Sequence, residues 1–267
     1  MSNSKDFTGK VVLITGSSGG IGAVTAIQFA KYGAQVVISG RNGQKLSSVS
    51  QQCAQVSPNR LEALEVLGDV SHESDCRRLV DITVQTFGKL DILVNNAGIG
   101  ATSGIRDPNI LDTYDRLMAT NLRSVVCLTH LCVAHLEKTK GNIVNISSMA
   151  ALTPRPSMSI YSMSKSALDM FSKCLALELG PKGIRVNVVN PSGVRTDFSQ
   201  AMGVDKDSVN SLLEVTGSSY PLGRIGEPID IANAVLFLAS DECSFVTAIN
   251  FVADGGALWG APPPKLR

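Results

Sequence analysis

Val11-Val12-Leu13-Ile14-Thr15-Gly16-Ser17-Ser18-Gly19-Gly20-Ile21-Gly22 is the stretch that decides the fold of this 267-residue chain. Val11–Thr15 reads as a strand of the Val/Ile-rich kind that is buried on both faces. Ile21–Tyr32 reads as a helix ended by Gly33. Between them lies a turn with glycine at 16, 20 and 22, a spacing that differs from the commoner GxGxxG. Such glycines let the backbone turn tightly and approach a pyrophosphate. The helix behind the turn offers free N–H groups and the positive end of its dipole. Gly16, Ser18, Gly20, Ile21 and Gly22 are therefore candidate cofactor-binding positions.

Outward from this turn, strands and helices alternate to the end of the chain. Strands are predicted at Val36–Ser39, Ala63–Leu67, Ile92–Asn95, Ile143–Ile146, Val186–Val189 and Ile249–Val252. Helices are predicted near Lys45–Gln55 and at His72–Phe87, Leu111–Leu136, Tyr161–Leu179 and Ile229–Ala239. Repeated strand–helix units imply a parallel sheet with helices on both faces. Seven strands in series without a linker predict one doubly wound α/β domain over residues 1–267. Phe198–Tyr220 breaks the rhythm with Ser, Asp and Gly and only a weak helical pattern around Ser208–Val215. It follows a strand end, where open parallel sheets bind ligands, so a substrate lid over 198–220 is expected, with a plain surface insertion as the alternative. Residues 257–267 read as a C-terminal tail.

Composition narrows the function. Twenty-four Lys and Arg against 23 Asp and Glu give a net charge of +1, which gives no reason to expect a nucleic acid or an anionic membrane as partner. Six cysteines without CxxC spacing and three unclustered histidines argue against a disulfide framework and a metal site. Buried, reduced thiols in a cytoplasmic protein are the expectation. No run approaches 18 consecutive apolar residues and the first ten residues show no secretory pattern, so neither a membrane span nor export is expected. His130 and His135 read as packing or interface residues, and Met149, Met158, Met163 and Met170 as pocket wall or core.

The second strand carries the choice of dinucleotide. It ends Ser39-Gly40-Arg41-Asn42, and no Asp or Glu occurs between Phe7 and Leu61, whereas Lys10, Lys31, Arg41, Lys45 and Arg60 do. A ribose 2′-hydroxyl usually meets an acid at this point, whereas a 2′-phosphate needs a cation and no acid. Arg41 is suited to stack on adenine and pair with the phosphate, and Ser39 to donate a hydrogen bond. The reading is NADP(H) over NAD(H), with Asn42 beside it as a further contact.

Tyr161-Ser162-Met163-Ser164-Lys165 begins a helix, and positions four apart share one face. A free phenol, with pKa near 10, is a poor acid–base at neutral pH, and a nearby ammonium favours the phenolate. Just upstream, Asn142-Ile143-Val144-Asn145-Ile146-Ser147-Ser148 delivers two hydroxyls at a strand end.

Together these residues resemble the short-chain dehydrogenase/reductase family, from Gly9 to about Gly256. TGxxxGxG is met by Thr15, Gly16, Gly20 and Gly22, and NNAG by Asn95-Asn96-Ala97-Gly98. The catalytic Asn matches Asn121, the Ser thirteen residues before the Tyr matches Ser148, and YxxxK is Tyr161 and Lys165. The resemblance implies a single-domain Rossmann fold and hydride transfer between NADP(H) and a carbonyl or secondary alcohol, without a metal. Tyr161 is then the general acid or base, and Ser148 hydrogen-bonds the substrate oxygen. Lys165 holds the nicotinamide ribose and depresses the Tyr161 pKa, while Asn121 anchors a relay water. Asp69, with Val70, takes the adenine position. Asn95 supports the adenosine ribose and the sheet, Ala97 and Gly98 line the cofactor, and Pro191, Val194 and Thr196 clamp the nicotinamide carboxamide.

Two departures stand out. Ser192 occupies the place where the family usually has Gly, and Phe245-Val246-Thr247-Ala248 ends in Ala where Gly is common. Broad carbonyl or alcohol reductases and 3-oxoacyl-carrier-protein reductases fit equally. The alternative from another class is a non-catalytic dinucleotide sensor or scaffold. The pocket is expected from Ile99–Gly104, Ala150–Ile160 and the lid, including Phe198 and Met202. The resemblance also implies a homotetramer, or failing that a dimer, through the two long helices and the last strand.

Overall fold

The computed structural model describes residues 5–198 and 213–260. Seven strands form one parallel sheet in the order β3-β2-β1-β4-β5-β6-β7. They are β1 (Val11–Thr15), β2 (Gln35–Gly40), β3 (Leu64–Leu67), β4 (Ile92–Asn95), β5 (Asn142–Ile146), β6 (Arg185–Pro191) and β7 (Asn250–Ala253). The chain turns leftward from β1 to β2 and β3, then returns to place β4 on the other side of β1. That reversal opens a crevice at the carboxyl ends of the central strands.

Alternation along the strands builds two cores. Val12 and Ile14 pack with α1 (Gly20–Lys31), α2 (Gly43–Val56) and α7 (Pro228–Ala239), whereas Val11 and Leu13 face the opposite layer. That layer holds α3 (Glu73–Phe87), α5 (Ser124–Thr139) and α6 (Ser159–Leu179). Burial on both faces explains why β1 is apolar throughout. Helix ends follow local chemistry. Asn42 accepts from the Lys45 amide to start α2, Gly88 takes a left-handed φ of 73° to stop α3, and Glu227 with Asp230 forms a reciprocal cap on α7.

The predicted helix Leu111–Leu136 forms within one helical run, Ile110–Thr139, but the run is not α-helical throughout. It comprises α4 (Ile110–Met118), a π turn (Ala119–Arg123) and α5, so the sequence period missed one extra residue in the middle. The whole 30-residue run is long and apolar enough, by length and composition, to cross a membrane. An uninterrupted-run criterion did not reveal this. Leu117, Val125, Leu128, Cys132 and Leu136 bury one face in the protein, as in a core helix, and Val126, Leu111 and Tyr114 leave apolar surface on the other. Met163 and Met170 are also exposed, on the outer face of α6, and not core. His130 is exposed and His135 half-buried. All six cysteines are free, but only Cys53, Cys76, Cys132 and Cys243 are buried. The lid reading falls mostly on residues 199–212, outside the described residues, as do Met202 and 261–267; residues 213–218 are helical.

Candidate active site

The glycine-rich turn is braced from β4. Thr15 Oγ1 accepts from the Asn96 and Ala97 amides, both at 3.1 Å. Asn96 Nδ2 donates to Thr15 O at 2.9 Å and Gly16 O at 3.0 Å. The packing leaves no room for side chains: a Cβ on Gly16, whose φ is +63°, would stand 2.7 Å from Ala97 Cα. Gly19, by contrast, faces open space, and α1 begins there without a side-chain cap. Its first amides therefore have no side-chain acceptor, the condition for anion binding at a helix start. Thr196, after β6, closes over the turn, because a Cβ on Gly20 would lie 3.1 Å from its Cγ2. Pro191 is buried at the end of β6, and Val194 bridges to Gly226. Asn95 is buried and donates to Asn145, which donates to Ser172, so its side chain serves the sheet and not a ribose.

At the β2 end the structure revises two residues. Ser39 is 2 % exposed, in register with Thr15, so its side chain lies inside the sheet and does not reach a ribose phosphate. Ser18 stands nearer, since a Cβ on Gly40 would meet its Oγ at 2.9 Å. Asn42 spends its side-chain oxygen capping α2. Arg41 is exposed, as expected, but the fold brings Asp69 to 3.8 Å from its guanidinium. The local scan for acids could not see this contact, which comes from the end of β3. Burial raises the Asp69 carboxyl, but hydrogen bonds from Ser71 and the charge of Arg41 outweigh it and hold it below its ordinary pKa. Val70 is buried behind it.

Tyr161, Lys165 and Asn121 are buried together beside the ends of β4 and β5, with Ser148 half-buried. Ser148 Oγ accepts from the Ala150 amide at 3.1 Å and hydrogen-bonds the Tyr161 phenol. Lys165 Nζ donates to Ile146 O at 2.9 Å. An ammonium has three N–H groups, so two remain for a ligand. Gly98 forms the facing wall, where a Cβ would stand 3.4 Å from Lys165 Nζ and 3.5 Å from Asn121 Oδ1. A buried cation with spare donors, beside a glycine floor and a free helix N-terminus, fits a nicotinamide dinucleotide with its ribose at Lys165 and its pyrophosphate at the turn.

Electrostatics depart from expectation at one point. Lys165 does not depress the Tyr161 phenol. Burial pushes the phenol up, and only the Ser148 hydrogen bond opposes it. The ammonium is turned to Ile146 O, and its own pKa falls to about 8 because burial disfavours the charge, partly offset by Asp169. Asn121 sits in the π turn, where its Oδ1 accepts from Ile99 N at 2.8 Å. Its Nδ2 donates to Ile99 O and Ser164 Oγ, so both N–H groups are spent and only a lone pair of Oδ1 is left near Lys165.

Leu117, Ala150 and Tyr161 form a small apolar cluster with Ile99, Ala101, Met158, Ile160 and Phe198. The Phe198 and Tyr161 rings are 6.1 Å apart between centroids. Arg155 is exposed, with its guanidinium 3.2 Å from Met149 Sδ.

Comparison with known proteins follows this geometry. A family model described as enoyl-(acyl carrier protein) reductase matches residues 16–257. The chain is 38% identical to an L-xylulose reductase of Caenorhabditis elegans, over 94% of this chain and 96% of that protein. The chain belongs to the short-chain dehydrogenase/reductase family. Among solved short-chain dehydrogenase/reductase structures, L-sorbose reductase from Gluconobacter frateurii, complexed with NADPH and L-sorbose, superposes with a TM-score of 0.88 at 30% identity. The match covers 96% of this chain and 99% of that one. A 3-ketoacyl-(acyl-carrier-protein) reductase from Brucella melitensis, complexed with NADH, gives 0.82 at 33% identity, over 94% and 99%.

Sequence reading assigned no role to Asp169 and Ser164, which, with Asn190, hold the cluster of this short-chain dehydrogenase/reductase from behind. Only Asp169 left a signal: it continues the face of Tyr161 and Lys165 at the next fourth position of α6.

Proposed function

We propose that this chain catalyses hydride transfer between NADP(H) and a carbonyl or secondary alcohol with apolar flanks. The burial of Tyr161 and Lys165 around the Ser148 hydroxyl carries this reading. When bound, the nicotinamide supplies or accepts the hydride. Ser148 Oγ takes its hydrogen bond from Ala150, and its O–H, directed at the Tyr161 phenol, would turn to the substrate oxygen when substrate binds. Tyr161 gives its proton to that oxygen in reduction and removes it in oxidation. A phenol held up by burial keeps its proton until an alkoxide develops to take it; for oxidation it needs added positive charge, which a Lys165 ammonium released toward the ribose and an oxidised nicotinamide would provide. Lys165 and the free lone pair of Asn121 border the same space beside Gly98, which suits a relay water.

Arg41 and the absence of any Asp or Glu between Phe7 and Leu61 favour a phosphorylated dinucleotide, although one relative binds NADPH and another NADH. Within the turn, Gly16, Ser18, Gly20, Ile21 and Gly22 would cradle the pyrophosphate. Asp69 and Val70 would meet the adenine, Ala97 and Gly98 the riboses, and Pro191, Val194 and Thr196 the carboxamide. The wall of Ile99, Ala101, Leu117, Met158 and Phe198 beside Tyr161 is apolar. It favours an alkyl or aryl ketone, with a 3-oxoacyl chain as one member of that class. Exposed Leu111, Tyr114, Val126, Met170 and Leu177 on the long helices, and Phe245 and Trp259 near the last strand, support a homotetramer, or a dimer.

The test is NADPH oxidation over a panel of aryl ketones, diketones, 3-oxoacyl thioesters and ketoses. Wild-type turnover that Tyr161→Phe lowers by about a thousandfold supports the acid–base role, within the range for such groups. Retained turnover in that variant overturns it.

A further inference from the structure

Asp169 is 5 % exposed and lies on α6 one turn beyond Lys165, on the face that also carries Tyr161. Its Oδ2 accepts from Asn190 Nδ2 at 2.9 Å and from Asn250 Nδ2 at 2.6 Å, and the Ser147 hydroxyl is also within its hydrogen bonds. Burial raises the Asp169 carboxyl above its ordinary range, and the donors converging on it, with the Lys165 charge, oppose that rise and favour the ionised form. The same Asn190 Nδ2 donates to Ser148 O at 3.0 Å, and Asn190 Oδ1 accepts from Asn250 at 3.1 Å. One carboxylate thus ties α6 to β6, to β7 and to the backbone of Ser148. A buried charge is costly unless it is paired, and nothing in the packing of a parallel sheet requires one here.

We propose that Asp169 is a positioning residue for the reaction: it fixes the Ser148 backbone through Asn190 and acts as the buried counter-charge that keeps the Lys165 ammonium in place beneath the cofactor ribose. The inference rests on the reading of Ser148 and Lys165 given above. The charges involved are few. Around Asp169 the acting cation is Lys165, and around Lys165 the acting anion is Asp169; β5, β6 and β7 contribute Ser147, Asn190 and Asn250, all neutral. Tyr161 is the other titratable group on this face of α6.

Asp169→Asn conserves size but removes the charge and presents an N–H where two N–H groups already converge. Expected results are a fall in kcat of tenfold or more and weaker NADPH binding, read separately by the enhancement of NADPH fluorescence. The alkaline limb of kcat/KM should also move toward acid by about one pH unit, the lower end of the effect of a close opposite charge. Thermal melting reports whether the variant folds. Should it not, Asn190→Ala keeps the carboxylate while cutting its link to Ser148, and should lower kcat about tenfold with the alkaline limb unmoved. An Asp169→Asn protein that melts like wild type and keeps its kcat, NADPH affinity and pH profile overturns the proposal, as does Asn190→Ala with wild-type kcat. Tyr161→Phe measured alongside separates the two readings: if it retains turnover the acid–base assignment fails, whereas its inactivity beside an unaffected Asp169→Asn removes only the role of Asp169.

Discussion

Arg41→Ala should separate the two dinucleotides. The Arg41 side chain is 72% exposed and its pairing with Asp69 is loose, at 3.8 Å. An exposed ion pair of this kind contributes roughly 0–1 kcal/mol, so little is lost when the guanidinium turns to a ligand. A charge-assisted hydrogen bond to a phosphate contributes about 1.5–3 kcal/mol. The difference, about 0.5–3 kcal/mol, corresponds to a rise in the NADPH Kd of roughly 2- to 140-fold, at 1.4 kcal/mol per tenfold. NADH lacks the phosphate and keeps only the stacking surface, so its Kd should change by less than about threefold. Fluorescence titration of both reduced cofactors against both proteins gives the four constants required. Because the site is exposed, raising the ionic strength should shrink the wild-type preference for NADPH. Equal losses for the two cofactors, or a preference insensitive to salt, would refute the assignment of Arg41 to a 2′-phosphate.

Lys165 gives a pH signature in stability. Its folded pKa, about 8, lies below the ordinary lysine value of 10.5, so between these values the unfolded chain binds more protons and the contribution of Lys165 to stability rises with pH. Melting curves should therefore show wild type gaining on Lys165→Met by a few degrees between pH 7.5 and 10, at roughly 2–4 °C per kcal/mol; parallel curves would show that the ammonium is not held in a buried site. Gly22→Ala places a Cβ 2.4 Å from Asn96 Nδ2 and 2.5 Å from Gly16 O, atoms already fixed by hydrogen bonds. It should cost about 1–3 kcal/mol in urea unfolding. Gly19→Ala meets nothing within 4 Å and adopts an extended φ, so it should melt like wild type yet bind NADPH more weakly. Unchanged binding there would move the pyrophosphate away from the turn.

Much of the architecture was legible along the chain. β1 is apolar at every position but its last because both its faces are covered, and Gly33 and Gly88 mark ends that need a left-handed backbone. Local periodicity and turn chemistry report such features directly, so all seven strands and the Tyr161–Lys165 face could be read from short windows. The π turn at Ala119–Arg123 could not, because one inserted residue hardly disturbs the apolar pattern around it.

What only the tertiary structure decided are relations between residues far apart in sequence. Asp69 meets Arg41 because β3 lies beside β2, and Ser39 is withdrawn because its place in the register puts it under the sheet surface. Burial raises the Tyr161 phenol and lowers the Lys165 ammonium, a balance set by how much water the packed helices exclude. Asp169 acquires a meaning only when Asn190 and Asn250, from two other strands, converge on it. A sequence carries the local preferences of each segment; proximity, register and solvent exclusion exist only once the strands have paired and the helices have covered them.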